Sequence, residues 1–237
     1  MKYVVLKDQK ERRLSFYLAM EEYMARHLGE DDGLFFMWQV RPTVIFGRNQ
    51  SKESEVNVDY CRQHGIEIYR RKSGGGCVYA DKSNVMMSFI SKEENVGITF
   101  NRFVNMLLLV LRKMGVEAIG NSHNDVMIGD RKVSGTAFYH LPGGSVVHGT
   151  MLYDTDMEHM LHAITPSRVK LQSKGIKSVR QRITLLKDHT SLTLEEFKAL
   201  VRSTLCLGER VLTSDDVEAI EQLEQTYLKE DFINRIQ

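Results

Sequence analysis

Residues 70–81 read RRKSGGGCVYAD, placing Arg70, Arg71 and Lys72 just ahead of three consecutive glycines. Glycine between β-like segments costs backbone entropy and packs no side chain. Such a run is therefore either a wide turn with solvated cations, or a wall cleared so that an anion can reach backbone N–H groups. Arginine suits the second reading, because its planar fork binds phosphate or carboxylate oxygens in pairs. Neither familiar phosphate loop is present. No G-x-x-x-x-G-K-[ST] string occurs, and Tyr79, with β-like sequence after it, stands where a G-x-G-x-x-G motif would be opening a helix.

Two later stretches carry further candidates: HNDVMIGDRKVSGTAFY at 123–139 and VVHGTMLYDTD at 146–156. Lys132 lies on a strand-like segment, where a lysine ordinarily faces solvent. The Ser134-Gly135 pair beside it leaves open space, as the glycine run does. Cys61, Cys77 and Cys206 are far apart and form no C-x-x-C pair, which fits reduced thiols and excludes a disulfide scaffold or a structural zinc site.

The elements that must hold these residues follow from periodicity. Strands are expected at Tyr3–Leu6, Leu34–Gln39, Thr43–Gly47, Ile66–Arg71, Cys77–Ala80 and Val85–Ser91. Three more are expected at Asp125–Ile128, Lys132–His140 and Ser145–Tyr153, joined by the turn sequences GDR and LPGG. Helical spacing marks Leu14–Leu28, the Phe100–Leu111 stripe, Leu194–Leu205 and Asp215–Leu228, with Asn57 as cap of a short helix over Val58–His64. The reading is one α+β domain over residues 1–237: a largely antiparallel or mixed sheet, packed helices, and a helical tail from about 190.

Composition narrows the function class. The 237 residues are 42% hydrophobic and 27% charged with a net charge of +1, so a nucleic-acid or membrane partner has no global support and any anion site is local. The start, MKYVVLKDQKERR, lacks a signal peptide's apolar core, and the longest aliphatic run, Met106–Leu111, is far short of a membrane span. A cytoplasmic protein is expected.

Taken in order, PTVIFGRNQ, RRKSGGGCVYAD, NDVMIGDRKVSGTA, HGTMLYD and KGIKSVRQRIT (174–184) resemble the lipoate–protein ligase A family, over roughly residues 10 to 235. The resemblance implies the fold shared by biotin and lipoate ligases and octanoyltransferases. It also implies ATP-dependent activation of lipoate to lipoyl-adenylate, then transfer to one lysine of a carrier domain: a 2-oxoacid dehydrogenase E2 subunit or the glycine-cleavage H protein. By that resemblance Lys132 is the catalytic cation, touching the acyl carbonyl and the α-phosphate. Arg71, Ser73, Gly75, Gly76, Cys77, Val78, Tyr79 and Asn124 contact the nucleotide, while Arg71, Gly75 and His148 join Lys132 around lipoate. Asp125 becomes a candidate Mg²⁺ ligand, with a plain hairpin-edge carboxylate as the equal alternative.

Two positions depart from the family: Ala80 and Val147 stand where members often carry histidine. Two rival functions remain at this level. One is an octanoyltransferase working through an acyl-cysteine without ATP, for which Cys77 is the one cysteine near the motifs. The other is a paralogue that binds lipoyl-adenylate or a carrier domain without catalysis. Full-length members carry a second, C-terminal domain that closes over the site, and this sequence ends about where the catalytic domain would. Activation is therefore expected to need a separate accessory lid subunit, with a covering role for the helical tail as the alternative.

Overall fold

The computed structural model describes residues 1–8, 10–123, 125–165 and 182–235. Among them, eight strands form one mixed sheet in the order β11-β1-β2-β6-β10-β9-β8-β7. These are β1 (Lys2–Val5), β2 (Leu34–Trp38), β6 (Val85–Ser91), β7 (Ile119–Gly120), β8 (Val126–Ile128), β9 (Arg131–Leu141), β10 (Gly144–Met151) and β11 (Glu209–Val211). β1 pairs parallel with β11 and β2, and the rest of the sheet is antiparallel. A second, three-stranded sheet runs β4-β3-β5, from β3 (Thr43–Phe46), β4 (Glu67–Arg70) and β5 (Val78–Ala80). Hydrophobic pattern locates strands but does not divide them between sheets, so this division is new to the structure.

Strand alternation explains the layers. From β2 and β6, Leu34, Phe36, Trp38, Met86 and Ile90 face one side and pack with helix α1 (Leu14–Arg26). Phe35, Met87, Phe89 and Val147 face the other, against Phe103, Leu107 and Leu111 of the Val96–Lys113 helix and Phe197 and Val201 of the Leu194–Leu205 helix. Strands buried on both faces read as unbroken apolar runs, which is why VMMSFIS shows no alternation. The second sheet packs Val44, Phe46 and Tyr79 with Cys61 and Met160 in a third core.

Local signals account for the ends of elements. Asn57 caps its short helix, Val58–Gln63, accepting a hydrogen bond from the Tyr60 N–H at 3.1 Å. Thr193 and Glu196 form a reciprocal capping box on the Leu194–Leu205 helix. The tail is not wholly helical, because β11 interrupts it before the Ser214–Leu228 helix. No helix among the described residues is long and apolar enough to cross a membrane.

Candidate active site

β4 and β5 flank β3 without pairing with each other, so residues 71–77 must cross over the end of β3. The crossing is close. A side chain on Gly47 would run into the carbonyl oxygen of Gly75 and lie 3.1 Å from its carbonyl carbon. Gly75 itself holds φ +89°, a left-handed conformation that side chains resist.

The Arg71 guanidinium frames this loop from beneath. It donates to the carbonyl oxygens of Ile45 at 3.2 Å, Gly74 at 2.6 Å and Gly76 at 2.8 Å. Burial lowers its pKa to about 10, which leaves it cationic at neutral pH. The fork expected to grip an anion is thus engaged largely by the loop's own carbonyls. Arg71 lines the cavity above as a fixed positive charge rather than as a free clamp.

That cavity, of about 340 Å³, has the large sheet as its floor. Trp38, Met86, Thr150 and Gly135 stand in register across β2, β6, β10 and β9, and all four line it. Three strand spacings make this row about 14 Å long. Its β2 end is apolar, with Leu18 of α1 and Ile45 of β3 added to Trp38 and Met86. Its β8 end is charged. There the Lys132 Nζ lies 2.7 Å from Asp125 Oδ1, and the Arg182 guanidinium lies 3.3 Å from Asp125 Oδ2.

Gly135 makes room for the lysine: a Cβ there would overlap its ammonium and Cε. The open space expected beside Lys132 is therefore filled by Lys132's own side chain. Its backbone is pinned by Thr184, whose N–H donates to the Lys132 carbonyl at 3.0 Å.

His148 stands on the same face of the sheet, buried. Its Nδ1 lies 2.9 Å from Glu21 Oε2, and its Nε2 lies 2.7 Å from Ser73 Oγ. A carboxylate only accepts, so Nδ1 donates and a neutral ring leaves Nε2 to accept from Ser73. The Ser88 hydroxyl donates to Glu21 at 2.6 Å, and the Trp38 indole N–H donates to Ser88 at 2.9 Å. Serine, imidazole and carboxylate in this order activate nucleophilic serines elsewhere. Ser73, however, is fully buried and does not line the cavity, so it positions the ring rather than attacking. Replacing His148 with alanine should lower stability by about 1–3 kcal/mol, since Glu21 would lose a donor inside the protein. Urea denaturation checks this.

Of the residues expected at the site, Arg71, Gly75, Gly76, Cys77, Val78, Asp125, Lys132 and His148 line this one cavity. Ser73 does not line it, and touches it only through His148. Tyr79 does not line it either: its ring sits in the third core at 1% exposure, because strand alternation turns it away from Val78. Asn124 and residues 174–181 of the KGIKSVRQRIT segment lie outside the described residues.

Both positions that depart from the family pattern are core positions. Ala80 packs in the α1 core, and Val147 faces the Val96–Lys113 helix. Sequence reasoning missed Glu21, Trp38, Ser88 and Arg182. Glu21 had a signal: it interrupts the apolar stripe Leu14, Leu18, Ala25, Leu28 at the spacing where a hydrophobic residue belongs.

Among the described residues no group of three or more His, Cys, Asp or Glu side chains is placed to hold an ion. Asp125 already carries two cations. Cys77 is also a poor nucleophile, because burial pushes its thiol up to about 12. Cys77→Ser should accordingly keep most of the chain's activity, and intact-protein mass spectrometry should find no acyl-thioester on the parent chain.

The cavity thus has a sheet floor graded from apolar to charged, under a glycine-loop wall. The chain belongs to the lipoyl protein ligase A/B catalytic-domain family, whose profile matches residues 14–206. It is similar to lipoate–protein ligase 1 of Staphylococcus aureus, at 36% identity over 213 residues. That match covers 87% of this chain and 65% of the relative, so the chain spans less than two thirds of that relative's length. A chain from the bi-partite lipoate protein ligase of Thermoplasma acidophilum, studied with its E2 lipoyl domain, has the same fold. Its TM-score is 0.86 at 24% identity, with 100% of this chain and 96% of that chain covered. A lipoate-protein ligase A bound with ATP superposes with a TM-score of 0.82 at 21% identity, over 98% of this chain and 97% of that one.

Proposed function

We propose that the chain is the catalytic part of a lipoate–protein ligase. It activates lipoate with ATP to lipoyl-adenylate, then passes the acyl group to a lysine of a lipoyl carrier domain. The observation that carries this reading is Lys132, held by Asp125 at the charged end of a cavity whose other end is apolar. An acyl chain fits along Leu18, Ile45, Trp38 and Met86, which puts its carboxylate beside Lys132. A fixed cation there offsets the repulsion between carboxylate and triphosphate. It also stabilises charge building on the α-phosphorus, and later polarises the anhydride for the carrier amine. The glycine loop presents backbone to the nucleotide, and Asn124 is assigned to the same contact by resemblance.

Mg²⁺ would arrive on the nucleotide, with Asp125 as a candidate protein ligand in the cavity. Partners follow the same reasoning: the carrier is an E2 lipoyl domain or an H protein. A lid-forming accessory subunit, as the bi-partite Thermoplasma ligase suggests, would keep water off the anhydride during activation.

The test is ATP–pyrophosphate exchange that depends on lipoate. This reading expects exchange, strengthened by a lid partner. No exchange with or without a partner would favour a thioester-forming transferase or a binding paralogue.

A further inference from the structure

The three cations before the glycines do not share a side. Arg71 lines the cavity above, while Arg70 and Lys72 line a second cavity of about 410 Å³. Extended backbone alternates its side chains, so the loop acts as a partition with one cation on its active-site side and two behind. Arg26, Arg48 and Arg235 complete a basic lining in which Glu22 is the single carboxylate. Five Arg and Lys side chains facing one carboxylate is a strong local excess on a chain of net charge +1.

Few of these charges are neutralised. Glu22 is shared, at 2.5 Å from Lys72 and 2.7 Å from Arg26. Arg70 is structural, donating to the carbonyls of Arg48 at 2.6 Å, Gln50 at 2.9 Å, Ile233 at 3.0 Å and Arg235 at 2.7 Å. The guanidinium groups of Arg48 and Arg235 have no ion-pair partner among the described residues. Tyr139 also lines this cavity, at 8% exposure. Like charges gathered around one concavity repel unless an anion sits among them.

We propose that this second cavity binds a small multivalent anion of the phosphate class, at a site separate from the acyl and nucleotide cavity. Its volume suits a small molecule, and guanidinium groups match phosphate oxygens in geometry as well as charge.

The probe is inorganic tripolyphosphate, titrated calorimetrically into the full chain at fixed ionic strength. A saturable site that persists in Lys132→Ala is expected, beside any binding at the proposed nucleotide cavity. The double variant Arg48→Ala/Arg235→Ala should weaken it about tenfold or more, the loss of two charge-assisted contacts. Lys132→Ala should leave it unchanged, which separates this site from the proposed catalytic one. Neither Arg48 nor Arg235 leaves a charged partner behind, so the double variant should melt as the parent does. Absence of saturable binding, unchanged binding by the double variant, or loss of binding in Lys132→Ala would each overturn the proposal. So would an acidic peptide that displaces tripolyphosphate more tightly than it binds, since the cavity would then be a protein-docking site.

Discussion

Lys132→Ala should reduce lipoylation of a carrier domain by ~10²–10³, the usual loss when one preorganised charge contact leaves a developing oxyanion. The fold should survive. Lys132 is partly exposed on β9, and Asp125 keeps Arg182 as a partner after the truncation. Both half-reactions should fall, because in the proposed mechanism one ammonium serves the carboxylate–phosphate encounter and then the attack on the anhydride. Assaying activation by pyrophosphate exchange and transfer from synthetic lipoyl-adenylate separates the halves. Parent-level rates in both would remove Lys132 from the mechanism.

The second large effect is expected from backbone packing rather than from a charge. A methyl group at Gly47 meets backbone, not a flexible side-chain end, so the glycine loop must move to admit it. Gly47→Ala should therefore destabilise the protein by about 1–3 kcal/mol, as overpacking does. It should also cut activity sharply by displacing Gly75 and Gly76 from the cavity wall. Gly74 is the internal control: nothing lies within 4 Å of a Cβ built there, so Gly74→Ala should be close to silent. Equal behaviour of the two variants, in urea melts and in carrier lipoylation, would show that loop packing is not what shapes the wall.

Much of this was legible from the chain alone, where local chemistry decides the outcome. The Asn57 cap, the α1 helix from Leu14 and the β9–β10 hairpin across Pro142-Gly143 all follow from short-range signals. Lys132, His148 and the glycine run could be singled out because residue type and order carry information before folding.

What escaped depends on distant pairing. β11 is three residues, ERV, with no alternation to read, and exists only because β1 offers it a parallel edge. The Trp38–Ser88–Glu21–His148–Ser73 chain joins four elements and the glycine loop, which no local pattern links. The cations at 70–72 could be read as one group in sequence, while strand geometry sends Arg71 one way and its neighbours the other. The Tyr79 ring is turned from the cavity for the same reason: a motif treats its residues as equals, but a strand turns every second one inward.

The central claim, acyl transfer to a carrier lysine through Lys132, is tested most directly by mass spectrometry of an apo lipoyl carrier domain. The domain is incubated with the chain and synthetic lipoyl-adenylate, so that activation and any lid partner drop out. The account predicts that the carrier gains one lipoyl group at its acceptor lysine, and that Lys132→Ala abolishes the gain above the uncatalysed background. A carrier left unmodified by the folded parent chain, or modified equally by Lys132→Ala, would contradict it.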